Sequence, residues 1–203
     1  MKQKLKVCTG VPWAVLAFSL VFLPPLWPNG VGLAQAKPEP QISASDKQTI
    51  TLFEDRVKDY VKLRGKVKAK LPSLSKDSTP EQLESYRKTF EESLRVARNG
   101  AKRGDVFTPA AADYIRRTLR NEFKGKDRAE LRKIVFEAET QGVSLRVNYP
   151  YPESKELTEM PPTLLLKLPQ LPKEVRFRFV GRNMLLVDRD NNLIIDYMVD
   201  ALP

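Results

Sequence analysis

Two aspartates and an asparagine at alternate positions, Asp188-x-Asp190-x-Asn192, reproduce the first half of an EF-hand calcium loop. That loop needs glycine at its sixth position and a bidentate glutamate at its twelfth. Leu193 and Val199 stand there instead, so the spacing predicts a hairpin turn and no metal site. A second carboxylate chemistry is glycoside hydrolysis, in which one protonated acid and one ionised carboxylate flank the bond to be cut. Glu137, Glu139, Glu153, Glu156 and Glu159 are the candidates for a small hydrolase of cell-wall polymer. Such an acid must sit in an apolar pocket that raises its pKa, whereas these five stand in polar surroundings. Ser75-Lys76 and Ser154-Lys155 have the composition for serine–lysine chemistry, each in a polar stretch. The chain has no histidine and one cysteine, Cys8. Ser-His-Asp and Cys-His catalysis need the missing types, and zinc sites built on His or Cys are disfavoured for the same reason. No cofactor is expected.

Arginine and lysine carry the strongest remaining signal. Arg95, Arg98, Lys102 and Arg103 are followed by Arg116, Arg117, Arg120, Lys124, Lys126, Arg128, Arg132 and Lys133. Guanidinium groups bind carboxylate or phosphate with two parallel hydrogen bonds. Arg116, Arg117, Arg120, Lys124 and Arg132 are therefore the candidate anion- or partner-binding set. The competing reading is a solvated helix face, partly neutralised by Glu91, Glu92, Asp113 and Glu122, with cations gathered at helix C-termini for dipole reasons. Arg176 and Arg178 alternate with Val175, Phe177 and Phe179, which puts both on one sheet face, and Arg146 is placed to join them. That face either holds an acidic partner or is the wet side of the sheet.

Helices must position the first group. Ser45-x-x-Gln48 fits a capping box, with Ile50, Phe53, Val57, Tyr60, Arg64 and Val67 at three- and four-residue steps behind it. Arg64 alone breaks the apolar character of that stripe. Leu71-Pro72 ends the helix. Thr79-Pro80-x-Gln82 opens a second one, whose stripe is Leu83, Tyr86, Phe90, Leu94, Ala97 and Ala101, with Gly100 and Gly104 at its end. Thr108-Pro109 opens a third, burying Ala112, Ile115, Leu119 and Phe123, and Gly125 ends it. Asp127-x-x-Glu130 opens a fourth, with Leu131, Ile134, Val135 and Ala138 inward and Gly142 beyond it.

After Gly142 the apolar period changes from 3.6 to 2. Val143, Leu145, Val147 and Tyr149 predict a half-buried strand, followed by a proline-punctuated connection. Pro161-Pro162 favours a short helix at 163–168. Residues 175–180, 184–187 and 193–198 predict an antiparallel meander, with turns at Gly181-Arg182 and at 188–192. The expected class is α+β: about four helices within 45–141, then an antiparallel sheet of three to four strands within 142–203, in a single domain.

Five segments of the C-terminal half form a pattern. They are Val143-Ser-Leu-Arg-Val-Asn, Met160-Pro-Pro-Thr-Leu-Leu, Leu168-Pro-Gln-Leu-Pro, Phe177-Arg-Phe-Val-Gly-Arg182 and Asn192-Leu-Ile-Ile-Asp-Tyr. Together they resemble a group of exported bacterial proteins with no known activity, and Phe107-Thr-Pro-Ala extends the likeness upstream. The resemblance implies an envelope protein of a Gram-negative-like bacterium. It implies no catalytic residues.

The N-terminus reads the same way. Lys2, Lys4 and Lys6 precede an apolar run at 11–23, and Ala34-Gln35-Ala36 follows, which are the three parts of a secretory signal peptide. Thirteen apolar residues fall short of the ~20 that span a bilayer; a retained anchor is the alternative. Lysines without a twin arginine argue against the twin-arginine route. Cys8 precedes the apolar run, so it is no lipobox cysteine. Cleavage after Ala36 leaves a flexible lead-in at 37–44. It removes Cys8, Trp13 and Trp27, and lowers the formal charge from +10 to +7. An exported basic protein without catalytic His or Cys points to non-enzymatic binding or accessory work. Its expected partners are anionic envelope polymer, lipid headgroups or an acidic protein, and nucleic acid is not expected there. A carboxylate hydrolase and an assembly role through a sheet edge are the alternatives.

Overall fold

The computed structural model describes residues 42–124, 143–155 and 158–202. The protein is α+β, with helices first and a four-stranded antiparallel sheet at the C-terminal end. The signal segment, most of the lead-in and the expected fourth helix (127–138) lie outside the described residues.

Helix α1 is Ala44–Lys68. Its cap is Ser43, whose hydroxyl accepts from the Asp46 N–H at 3.0 Å. That corrects the expected cap at Ser45: Asp46, three residues on from Ser43, supplies the acidic group that suits a first turn. Phe53, Val57, Tyr60, Arg64 and Val67 are all buried, as the stripe predicted. Helix α2 is Pro80–Ala97, and the predicted box of Thr79 and Gln82 is fully formed. Of its stripe only Phe90 and Leu94 are buried, because Leu83 and Ala97 lie on the outer side. Gly100 and Gly104 adopt φ of 87° and 91°, turning the chain between α2 and α3. Helix α3, Pro109–Glu122, is capped by Thr108 and buries Ala112, Ile115 and Leu119, with Phe123 at its C-cap. No helix among the described residues is long and apolar enough to cross a membrane.

The sheet runs in the order β1 (Thr158–Glu159), β2 (Val175–Val180), β3 (Asn183–Asp188), β4 (Ile194–Met198). A four-residue helix α4, Pro162–Leu165, bridges β1 and β2. Gly181, at φ 54°, is the first central residue of the two-residue β2–β3 turn, where a hairpin of type II′ needs glycine. A bulge after Leu186 then brings both Ile195 and Asp196 to the helix side.

One face of the sheet packs Phe177, Phe179, Met184 and Leu186 against α1 and α3. The other face collects Val180, Leu185, Val187 and Ile194 under Tyr151, with Val143 and Leu145 packed alongside. The strand expected at 143–149 is not one. Its alternation correctly orients Val143 and Leu145 toward the sheet, but the chain turns at 147–149, where Asn148 takes φ 65°. The Asn148 N–H donates to the Ile194 carbonyl at 2.8 Å, and one isolated bridge joins Pro150 and Leu193. The inward side chains are thus placed by a loop docked on β4. The fourth strand is instead the two-residue β1, paired with Phe179 and Arg178.

Candidate functional site

The hairpin between β3 and β4 settles the calcium-like motif. Asp188 is fully buried and accepts from the Tyr60 hydroxyl and Arg64 Nε, both at 2.7 Å. Its other oxygen takes the Asp190 N–H at 2.9 Å, an Asx turn. Arg64 also pairs with Asp190 through Nη2. Burial of Arg64 opposes its charge, but Asp188 and Asp190 outweigh that and raise its pKa above the ordinary value. Both aspartates are therefore committed to an internal cation. Asp196, also fully buried, accepts four backbone N–H groups, from Gly104, Val106, Phe107 and its neighbour Tyr197. It fixes the α2–α3 connection to β4. These carboxylates build the fold.

The expected hydrolytic carboxylates lie elsewhere. Glu153 and Glu159 are exposed, paired with Arg87 at 2.6 Å and Arg178 at 3.0 Å respectively. Glu137, Glu139 and Glu156 lie outside the described residues. Ser75, Lys76 and Ser154 are exposed and Lys155 is half-buried.

The helix cations divide into several environments. Arg98 turns inward over the Tyr60 ring and donates to the Ile195 carbonyl at 2.9 Å. Arg95 and Arg146 both lie on Tyr149, at 4.2 and 4.0 Å, so Arg146 does not join Arg176 and Arg178. Arg116 grips the C-terminal segment through the Val199 and Asp200 carbonyls and pairs with Asp113. Arg117 pairs with Asp46 at the start of α1. Arg120 is exposed beside Arg116, and with Arg182 they line a depression that also holds Asp200. Lys124 is exposed just past α3; Arg132 lies outside the described residues. Of the five expected binding residues, Arg116 and Arg120 line this depression together, while Arg117 turns to Asp46. Two of them, Arg116 and Arg117, latch segments of the chain together.

A denser group of cations sits at the β2 edge. A groove of about 220 Å³ is lined by Lys173, Arg176, Arg178 and Arg189, with Leu165, Pro169 and Leu171 as its apolar wall, and no carboxylate belongs to that lining. Arg176 and Arg178 share a face by the period of two and stand opposite Val187 and Leu185. Lys173 comes from the turn that Pro172 sets ahead of β2. The Arg189 N–H donates to the Glu174 carbonyl at 2.9 Å, which fixes it beside that turn. Arg176 donates to the Asn192 amide oxygen at 2.6 Å, while its Nε is buried with no partner among the described residues. The Arg178 side chain is 12% exposed. Burial pulls its pKa below the ordinary arginine value; Arg176 and Arg189 push the same way, and Glu159 only partly offsets them. The charges crowd one another, and an anion entering there relieves the crowding.

A larger depression of about 600 Å³ lies between the end of α2 and residues 147–149. Glu92 and Arg95 are its charged lining, so it presents no excess of either sign. The alternation of Arg176 and Arg178 was legible in sequence. Arg189 was not connected to them, although counting back from the two-residue turn at Gly181-Arg182 gives Val175 opposite Asp188 and puts Arg189 next to Glu174. No family model matches the chain, and neither a curated protein nor a solved structure is similar to it.

Proposed function

We propose that this is a non-enzymatic binding protein of the bacterial envelope, exported by residues 1–36, which holds an anionic group of its partner in the groove of Lys173, Arg176, Arg178 and Arg189. The carrying observation is four cations lining one concavity with no carboxylate among them. An arrangement of this kind is costly for the folded chain alone and becomes favourable when phosphate or carboxylate oxygens enter. The planar fork of arginine suits either group. Export is supported by the basic, apolar and Ala-x-Ala segments of the N-terminus and by the resemblance of the C-terminal pattern to exported bacterial proteins.

The reading moves the binding surface from the helices to the sheet edge. Titration with inorganic polyphosphate as a soluble polyanion tests it. Lys173→Gln with Arg189→Gln removes two exposed cations and is expected to weaken binding at least tenfold and flatten its salt dependence. Arg116→Gln with Arg120→Gln is expected to leave the affinity within about twofold. The opposite ranking returns the site to α3, and equal affinity in all variants removes the groove from consideration.

A further inference from the structure

We propose that the groove is one half of a docking surface for an anionic lipid bilayer, whose other half is the exposed pair Leu165 and Leu166. The inference rests on the groove reading and names its partner. Leu166 is 79% exposed and Leu165 42% exposed. Single exposed leucines are ordinary on a protein surface; these two are adjacent, and Leu165 itself lines the cationic groove.

The leucines are held out by their neighbours in sequence. Leu164 and Leu168 are buried in the core beneath α1 and α3, so the chain is anchored on either side of the pair. Pro161 and Pro162 start the short helix, and its backbone is closed by the Leu165 N–H to the Pro161 carbonyl (3.1 Å) and the Leu166 N–H to the Pro162 carbonyl (3.2 Å). Pro169 and Pro172 stiffen the return to β2. The tip therefore keeps its apolar side chains exposed without a change of backbone. Lys167 follows directly and is exposed, which adds a fifth cation around the pair.

An anionic bilayer uses both halves at once, whereas a soluble polymer does not. A hydrated acidic polymer satisfies the guanidinium groups and leaves the leucines wet. At the surface of an anionic bilayer, phosphates lie level with the cations while the leucines enter the acyl boundary below them. This is the division of apolar and basic faces by which interfacial elements bind. Each basic residue near such a surface strengthens binding about fivefold, an effect that salt screens.

Protein purified as the cell exports it is sedimented with vesicles of phosphatidylcholine alone and of phosphatidylcholine with an equal part of phosphatidylglycerol. Binding is expected on the second and not the first, and Leu166→Ser, at the leucine that does not line the groove, is expected to lower it about threefold while leaving polyphosphate affinity unchanged. Lys173→Gln with Arg189→Gln is expected to lower both. In the processed chain, which lacks Trp13 and Trp27, Leu166→Trp introduces a sole tryptophan. Its emission is expected to shift to the blue on anionic vesicles only. Vesicle binding that ignores the leucines, or a tryptophan that stays wet, overturns the lipid inference. If polyphosphate binds in the groove while vesicles do not, the bilayer is excluded and the groove reading survives, with an acidic protein or polymer as its partner. If neither binds, both readings fall.

Discussion

Replacing Arg64 with methionine is expected to destabilise this protein more than removing any exposed charge. The Arg64 side chain is 7% exposed and that of Asp188 fully buried, and their N–O distance is 2.7 Å. Methionine fills much of the space left by the arginine stem but leaves Asp188 buried without a cation. Only the Tyr60 hydroxyl and the Asp190 N–H then remain on its oxygens. Breaking a buried pair from one side costs about 3–5 kcal/mol. In a domain of this size each kcal/mol moves the melting temperature by about 2–4 °C, so a fall of about 10 °C is expected by differential scanning calorimetry at neutral pH. Asp190→Asn is the control. That side chain is 51% exposed, and exposed pairs contribute about 1 kcal/mol or less, so a shift of no more than about 4 °C is expected. Adding Asp188→Asn to Arg64→Met removes the stranded charge while keeping an acceptor for Tyr60. The double variant is therefore expected to melt above the single one. Equal melting of Arg64→Met and Asp190→Asn, or a double variant no more stable than the single, would refute the assignment of Asp188 as a charge that depends on Arg64.

Asp196→Asn turns one carboxylate oxygen into a donor that faces backbone N–H groups already aimed at it. Leaving one or two buried donors unsatisfied costs about 1–3 kcal/mol each, and the loss is expected in urea unfolding midpoints, with amide exchange fastest at 104–107. Uniform exchange along the chain would show that Asp196 does not fix that connection. Tyr60 provides a pH dependence. Burial, then the Asp188 charge and its hydrogen bond, raise the phenol well above its ordinary pKa. The folded state thus favours the neutral phenol. This contribution is intact below the unfolded tyrosine pKa of about 10 and is lost as pH rises from there toward the folded value. Tyr60 is expected to ionise last in absorbance titration, after Tyr151, whose phenol burial also raises, and Tyr60→Phe is expected to shallow the alkaline fall in stability. If all tyrosines ionise together while the protein remains folded, the Tyr60–Asp188 contact is wrong.

The helices were legible because their signals are local. Thr79-Pro80-x-Gln82 and Thr108-Pro109 mark starts within one turn of chain, and the buried residues of α1 recur at the helical period. The Ser45 cap failed on the same ground, since Ser43 has an acidic residue at the same offset and both patterns compete over two residues. Strand β2 was legible from alternation, and β3 and β4 as apolar runs separated by the turn residues at 181–182 and 188–192. Alternation at 143–149 placed Val143 and Leu145 correctly, left Tyr149 on the wrong side and gave the wrong element. It reports which side chains face apolar surroundings, whereas a strand also needs a continuous partner for its backbone, and Asn148 turns the chain before one is met. The groove was half legible. Arg176 and Arg178 declare their shared face, but Lys173 and Arg189 join them only through the register of β2 on β3.

The sequence by itself determined the α+β class, most helix boundaries and the absence of histidine beside a single cysteine, because composition, caps and periodicity act over a few residues. Tertiary structure decided what each charge is for. Arg64, an anomaly in an apolar stripe, became the partner of Asp188 across 124 residues of chain. Arg116 and Arg117, two of the five expected binding residues, became latches, while four cations from β2, the turn before it and the β3–β4 turn gathered along one groove, where Glu159 answers Arg178 from outside the lining. The cost of a charge depends on burial and on the nearest opposite charge, and both are set by which distant segments the fold brings into contact.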